Sequence, residues 1–307
     1  MATSPGAVAG RTEQEIQANA AAALEQRRQR RYVVRALLHS PTFMVGLCIV
    51  LFWVFMGIFS THITQDPTAV DSMALLKGPS VAHWFGTDDL GRDVLARTMA
   101  GARTVLIIAP LATILALIWG GLIGLVAGFY RGVIDEVIMR LVDVLLALPV
   151  VITSILILSL VLKNNVSQYK SVTVVILVIA FLFTPIVSRT IRSAVLGERE
   201  REYVMAARLR GERSFFVMTR EILPNITSPI IVEGTVRLGY AVFTAATISF
   251  LGFGLQPPSP DWGLTIASER TVLQIAPWTV LFPAVALASL VIGVNLITDG
   301  LGRALTK

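Results

Sequence analysis

Cysteine, histidine and lysine are all scarce in the 307 residues. The single cysteine, Cys48, has no partner in the chain, which excludes an intrachain disulfide and a cysteine metal site. It lies inside an apolar run and fits a membrane helix as a small apolar residue. The three histidines, His39, His62 and His83, are scattered, and none has a partner at metal-ligand spacing. His83, beside Trp84, reads as part of a folded outer loop, because a metal-bound histidine needs oriented neighbours. No glycine is followed by lysine, so the phosphate-wrapping turn of a P-loop is missing and the chain is not expected to hydrolyse ATP. Nothing supports nucleophilic or metal-assisted hydrolysis either, so no catalytic residue and no metal ligand is assigned. Charged residues make up only 15% of the chain, against roughly a quarter in a soluble domain.

What fills the chain instead is apolar sequence, at 54% of residues. A soluble domain could not easily bury several runs of membrane-spanning length. The net charge of +6 is carried mostly by arginine, with lysine only at Lys77, Lys163, Lys170 and Lys307. The arginines sit between the apolar runs, where a positive-inside bias puts them, and not on a soluble basic face, so nucleic acid is not an expected partner.

Crossing a hydrocarbon core of about 30 Å takes ~20 mainly apolar helical residues. Six segments meet or nearly meet that requirement: Thr42 to Ser60, Thr104 to Phe129, about Val144 to Leu162, Ser171 to Ser188, about Ile230 to Gly254, and about Trp278 to Ile297. Lipid leaves their backbone polar groups no outside partner, so helices are the expected form and the fold class is an all-α, polytopic membrane protein. Residues 1–31 read as a cytoplasmic tail, partly disordered or an interfacial helix. Residues 32–103 hold the first span and an outer loop, and 104–307 a five-helix core with a long inner loop at 189–229. The arginines at 27–35, Arg131, Arg140, those from Arg189 to Arg220, and Arg303 are best placed on one side, which puts both termini in the cytoplasm.

Prolines at 110, 149, 185, 229 and 283 lie in or beside the spans, where each removes a backbone donor and tends to kink its helix. Gly120, Gly121, Gly124 and Gly128 form a strip on which another helix can approach closely. Glu233 and Arg237 are four apart and can pair on one helix face near the inner interface. A structural ion pair fits them better than a proton-carrying role, which would call for deeper burial. No span has an acid at its centre, which counts against ion-coupled transport.

The loop at 189–229 carries the most information. Tyr203, Ala206, Ala207 and Arg210 recur at helical spacing, predicting a short helix ended by a left-handed turn at Gly211. A second piece, from about Ser214 to Ile222, is expected to stop at Pro224, since proline pushes its predecessor away from the α region. Its small patch at Ala206–Ala207 suits either a docking partner or a lipid surface; the residues alone leave both open.

Ala206-Ala207-x-x-x-Gly211, followed by Leu223-Pro224, resembles the "EAA" loop of permease subunits of binding-protein-dependent ABC importers. Met205 stands where that family has glutamate, and Glu221 where it has isoleucine. A second block, His83 to Asp93 followed by Arg97 and Gly101-Ala102-Arg103-Thr104, is similar to the segment before the second helix in C-type dipeptide, oligopeptide and nickel permeases. A third, Pro257 to Gly263, matches the outer loop of that branch. The resemblance covers nearly everything after about residue 30.

It implies an ABC importer permease fold whose cytoplasmic coupling helices engage two ATPase domains. A second homologous permease, an extracytoplasmic solute-binding protein and membrane lipid complete the assembly, in the inner membrane of a prokaryote. ATP and magnesium would belong to the partner subunits, with no cofactor in this chain. Tyr203, Met205, Ala206, Ala207, Arg208, Gly211, Leu223 and Pro224 would form the ATPase-coupling surface, and the cargo would be a di- or oligopeptide. Gly86, Thr87, Asp88, Gly91, Arg92, Asp93, Trp262 and Gly263 would form an outer contact for the binding protein or a gate. A solvated charge cluster capping the second helix is the simpler account of Asp88, Asp89, Arg92 and Asp93. The rival to the whole reading is a self-contained, ion-coupled secondary transporter.

Overall fold

In the computed structural model residues 35–162 and 168–305 are described, so the tail at 1–31 lies outside them. Their regular structure is helical, apart from one isolated bridge between Thr87 and Asp93. The long helices are α1 (Pro41–Ile63), α2 (Val94–Tyr130), α3 (Gly132–Leu146), α4 (Val150–Leu162) and α5 (Gln168–Arg199). Then come the short α6 (Glu202–Leu209), α7 (Thr227–Phe250), the short α8 (Trp262–Glu269) and α9 (Trp278–Leu305).

Four stretches are long and apolar enough to cross a membrane: Pro41–Ile63, Val94–Tyr130, Ser171–Arg199 and Trp278–Ala304. The fifth expected span is α7, whose 24 residues rise about 36 Å, but Glu233, Arg237 and several small polar residues lower its apolarity. The third is not one helix. Its expected residues begin in the last turn of α3, cross an 86° bend and continue as the 13-residue α4. Pro149 supplies the cause, because Leu148 before it is disfavoured in the helical region. The described residues therefore give four spans, or five if the bent pair counts as one.

The second span starts ten residues earlier than its apolar run. Asp93 accepts a hydrogen bond from the Ala96 N–H at 2.7 Å, and this cap carries the helix back through Arg97 and Arg103. The largest helix contact joins α2 to α5. A Cβ on Gly124 would lie 2.5 Å from the Ser188 carbonyl oxygen, and one on Gly120 or Gly128 would run into Val187 or Val195. Gly121 faces open space, so the close strip is Gly120, Gly124 and Gly128, spaced four apart on one face. α3 is tied alongside by charge: Arg192 binds Asp135 at 2.5 and 2.6 Å, and Arg189 pairs with Asp143.

Trp53 of α1 links the remaining helices. Its indole N–H donates to Ser289 of α9 at 2.8 Å, and its ring meets Trp262 of α8 edge-on at 5.0 Å. Glu233 and Arg237 pair at 2.7 Å on α7, as their spacing suggested, with the guanidinium also 5.0 Å from the Tyr240 ring.

Candidate functional site

The two sequence blocks stand at opposite ends of α2. At its C-terminal end α6 follows directly on α5 and ends as predicted. Gly211 has φ +78°, its N–H donates to the Arg208 carbonyl at 3.0 Å, and the Glu212 N–H reaches back to Ala207 at 3.2 Å. Those paired bonds form a Schellman closure, which needs a residue at ease in the left-handed region.

The helix is held from beneath. Val204 and Ala207, three apart, are fully buried on one face, while Met205, Ala206 and Arg208 are exposed and Leu209 is 89% exposed. The alanine pair therefore divides: Ala206 looks outward and Ala207 packs inward, as a 100° turn per residue requires. The outward apolar surface is larger than two alanines. Met205 and Leu209 are exposed on the same helix, and Phe215, Phe216, Leu223 and Pro224 are exposed on the segment that follows.

Residues 214–225 do not stop before Pro224. A short α-helical piece (Ser214–Phe216) runs into a π-helical turn (Val217–Ile222) and a further helical turn (Leu223–Asn225), with Pro224 at a first-turn position where no N–H is needed. The wider turn, closed by the Leu223 N–H on the Met218 carbonyl, absorbs the missing donor. Such turns often sit at functional positions.

Polar contacts fix α6 to its surroundings. The Tyr203 hydroxyl donates to Glu198 at 2.6 Å, and burial together with that carboxylate pushes its ionisation upward. Arg210 stands 3.9 Å from Glu221. The Arg208 guanidinium lies 4.7 Å from the Phe129 ring centroid, and Arg199 donates to the Phe129 carbonyl. Two arginines thus grip the last turn of α2. A cavity of about 250 Å³ opens between Phe129, Arg199, Arg208 and Val217.

At the N-terminal end of α2 the charge cluster is buried except for Asp89, which alone is solvated. Thr87 and Asp88 are inaccessible, and Arg92, Asp93 and Arg97 nearly so. Asp88 accepts from the Leu90 N–H at 3.0 Å, the Arg92 N–H at 2.8 Å and the Arg92 Nε at 2.6 Å. Asp93 caps α2 and takes His83 Nδ1 at 2.9 Å. Gly86 and Gly91 both adopt positive φ, and a Cβ on Gly91 would strike the Asp71 carbonyl. Trp262 is fully buried and donates to the Thr98 carbonyl at 2.7 Å, while Gly263 abuts the Ala246 carbonyl. These residues bind the loops into a plug over the helix ends; Trp84, Asp89 and Leu90 are exposed on it.

One residue here escaped the sequence reading. Glu269, the last residue of α8, is completely buried and faces Asp88, Asp89 and Arg92. It falls outside every apolar run and outside the quoted blocks, so only three-dimensional packing reveals it.

Comparison with known proteins adds the following. Residues 120–307 match the family described as binding-protein-dependent transport system inner membrane component. A dipeptide transport system permease protein of Alkalihalophilus pseudofirmus is 40% identical over 266 residues, covering 85% of this chain and 84% of that protein. Its counterpart in Haemophilus influenzae is 34% identical, covering 85% and 89%. A glutathione transport system permease protein of Pectobacterium atrosepticum is 36% identical, covering 75% and 74%. Among solved structures, a chain of the MetNI methionine ABC transporter in an inward-facing conformation superposes with a TM-score of 0.56 at 16% identity. The match covers 70% of this chain and 97% of that one, and it establishes likeness of fold.

Proposed function

Because the chain belongs to the family of binding-protein-dependent transport system inner membrane components, we propose that it is the permease subunit of an ATP-driven importer of di- or oligopeptides. It forms half of a translocation pathway, with a second, homologous permease as the other half. The chain is a multi-pass protein of the inner membrane. Two ATPase domains, holding ATP and magnesium, dock on the α6 face, and a solute-binding protein delivers cargo at the plug face. Both termini then lie in the cytoplasm, consistent with the arginines between Arg189 and Arg220 on the docking side.

The observation that carries this reading is the exposed face of α6 on a rigid base. Met205, Ala206, Leu209, Phe215 and Leu223 offer apolar contact, while Val204 and Ala207 anchor the same helix inside the subunit. A push on α6 reaches α5 through the chain itself and α2 through the Arg208–Phe129 contact. The α2–α5 pair, joined along the glycine strip, then moves as one body, the kind of rigid-body change that alternating access needs. The chain performs no chemistry in this scheme; its work is mechanical. Family membership favours this over the ion-coupled transporter.

Affinity purification of the tagged chain from native membranes, with mass spectrometry, tests it. Recovery of a second permease and of P-loop ATPases is expected. A stable homo-oligomer without either would refute the proposal.

A further inference from the structure

Glu269 is a buried acid met by no side-chain donor, and only the backbone N–H of Asp89 lies close to it. It is 0% exposed, and neither carboxylate oxygen has a hydrogen-bond partner. Oxygens of Asp88, Asp89 and Glu269 all lie within 4.8 Å of one another. Asp88 is supplied by Leu90 and Arg92, with Arg97 Nε 3.5 Å away as an ion pair that makes no hydrogen bond. Glu269 and Asp89 are not: the Arg92 guanidinium stands 3.9 Å from the first and 3.7 Å from the second, beyond hydrogen-bond distance.

Charge leads to the same place. The cluster sets three carboxylates against the guanidiniums of Arg92 and Arg97, so full ionisation leaves one uncompensated negative charge. α7 and α9, which also pack on α8, offer no relief. The outermost ionisable residue of α7 is Tyr240, and α9 has none before Asp299. An unpaired buried charge is costly and is usually removed by taking up a proton.

We propose that Glu269 and Asp89 form a proton-binding site, in which Glu269 is a neutral acid donating to the Asp89 carboxylate and so closing the plug between residues 86–93 and α8. The proton converts one of two facing acceptors into a donor and brings the cluster to neutrality. Asp89, with its side chain 45% exposed, gives the proton a route from water. Burial, then the neighbouring Asp89 and Asp88, hold the Glu269 carboxyl up at about 8. A divalent cation suits the place less well, since it would join two guanidiniums and find the Asp88 oxygens already engaged.

The sign of the pH dependence follows. Glu269 titrates higher in the folded protein than in the unfolded chain, where a glutamate titrates near ~4.3. Its contribution is complete below that value and is lost as pH rises through about 8. Within that window the closed plug loses up to about tenfold in its closing equilibrium per pH unit.

The test uses the full chain in lipid nanodiscs, by infrared difference spectroscopy and hydrogen exchange across that window. Wild type minus Glu269→Gln should isolate the carbonyl stretch of a protonated acid, which burial of Asp261 would otherwise obscure. The band is expected to vanish at alkaline pH. Exchange protection of residues 86–93 should fall over the same range in wild type and stay flat in the variant. Asp89→Asn, at a half-exposed position, should keep the band and lower its midpoint, and it carries the test if Glu269→Gln does not fold. No protonated-acid band near neutral pH, or an unmoved midpoint in Asp89→Asn, overturns the proposal. So does protection that depends on added calcium chloride and not on pH.

Discussion

Leu209 lies one residue before the α6 cap and is 89% exposed, the most exposed large apolar side chain on that helix. Replacing it with aspartate removes almost no contact within the chain, so stability should stay within about 0.5 kcal/mol of wild type. A leucine buried by a partner is worth about 1.5–3 kcal/mol. If an ATPase domain covers it, Leu209→Asp should therefore weaken the complex by roughly ten- to a hundredfold, with charge desolvation adding to the loss. The assay is a titration of purified ATPase subunit onto the permease in nanodiscs, run beside thermal unfolding of each variant. Val204→Asp is the contrasting control, because Val204 is fully buried on the opposite face and its loss should destabilise the fold itself. Unchanged affinity in a stable Leu209→Asp protein would refute the docking-face argument.

The α2–α5 contact makes a second prediction. Gly124→Ala places a Cβ 2.5 Å from a backbone oxygen and should cost about 1–3 kcal/mol in unfolding experiments. Gly121→Ala meets nothing within 4 Å and should gain about 0.5–1 kcal/mol from helix preference; equal effects would sink the interlocking-strip account. Topology can be read by cysteine labelling with Cys48→Ala as background. Cysteines replacing Val81, 96% exposed, and Leu209 should react from opposite sides of the membrane, and same-side labelling would contradict the orientation.

The parts of the fold legible in the sequence are those governed by one local rule. Uninterrupted apolar runs marked α1, α5 and α9, and Gly211 marked the end of α6 through its need for positive φ. Where two rules compete, the sequence misleads. Residues 132–146 carry Asp135, Glu136, Arg140 and Asp143 and look like an inner loop. They form the helix α3, two of whose acids meet Arg189 and Arg192 of α5. The residues at 88–93 look solvated, since acids and arginines in a loop usually are, yet Asp88, Arg92 and Asp93 are buried, with Asp88 and Arg92 paired. Ala207 reads as surface beside Ala206 until Val204 fixes the buried face. Glu269 carries no local signal, because its meaning depends on carboxylates about 180 residues earlier.

The central claim is that this chain moves peptide only when ATPase partners act on α6. The measurement is uptake of a labelled dipeptide into proteoliposomes holding both permeases, with solute-binding protein outside and with or without ATPase subunits and ATP enclosed. The account predicts uptake that requires both, and that disappears in Leu209→Asp. Uptake by the purified chain alone, driven by an imposed ion gradient, would contradict it.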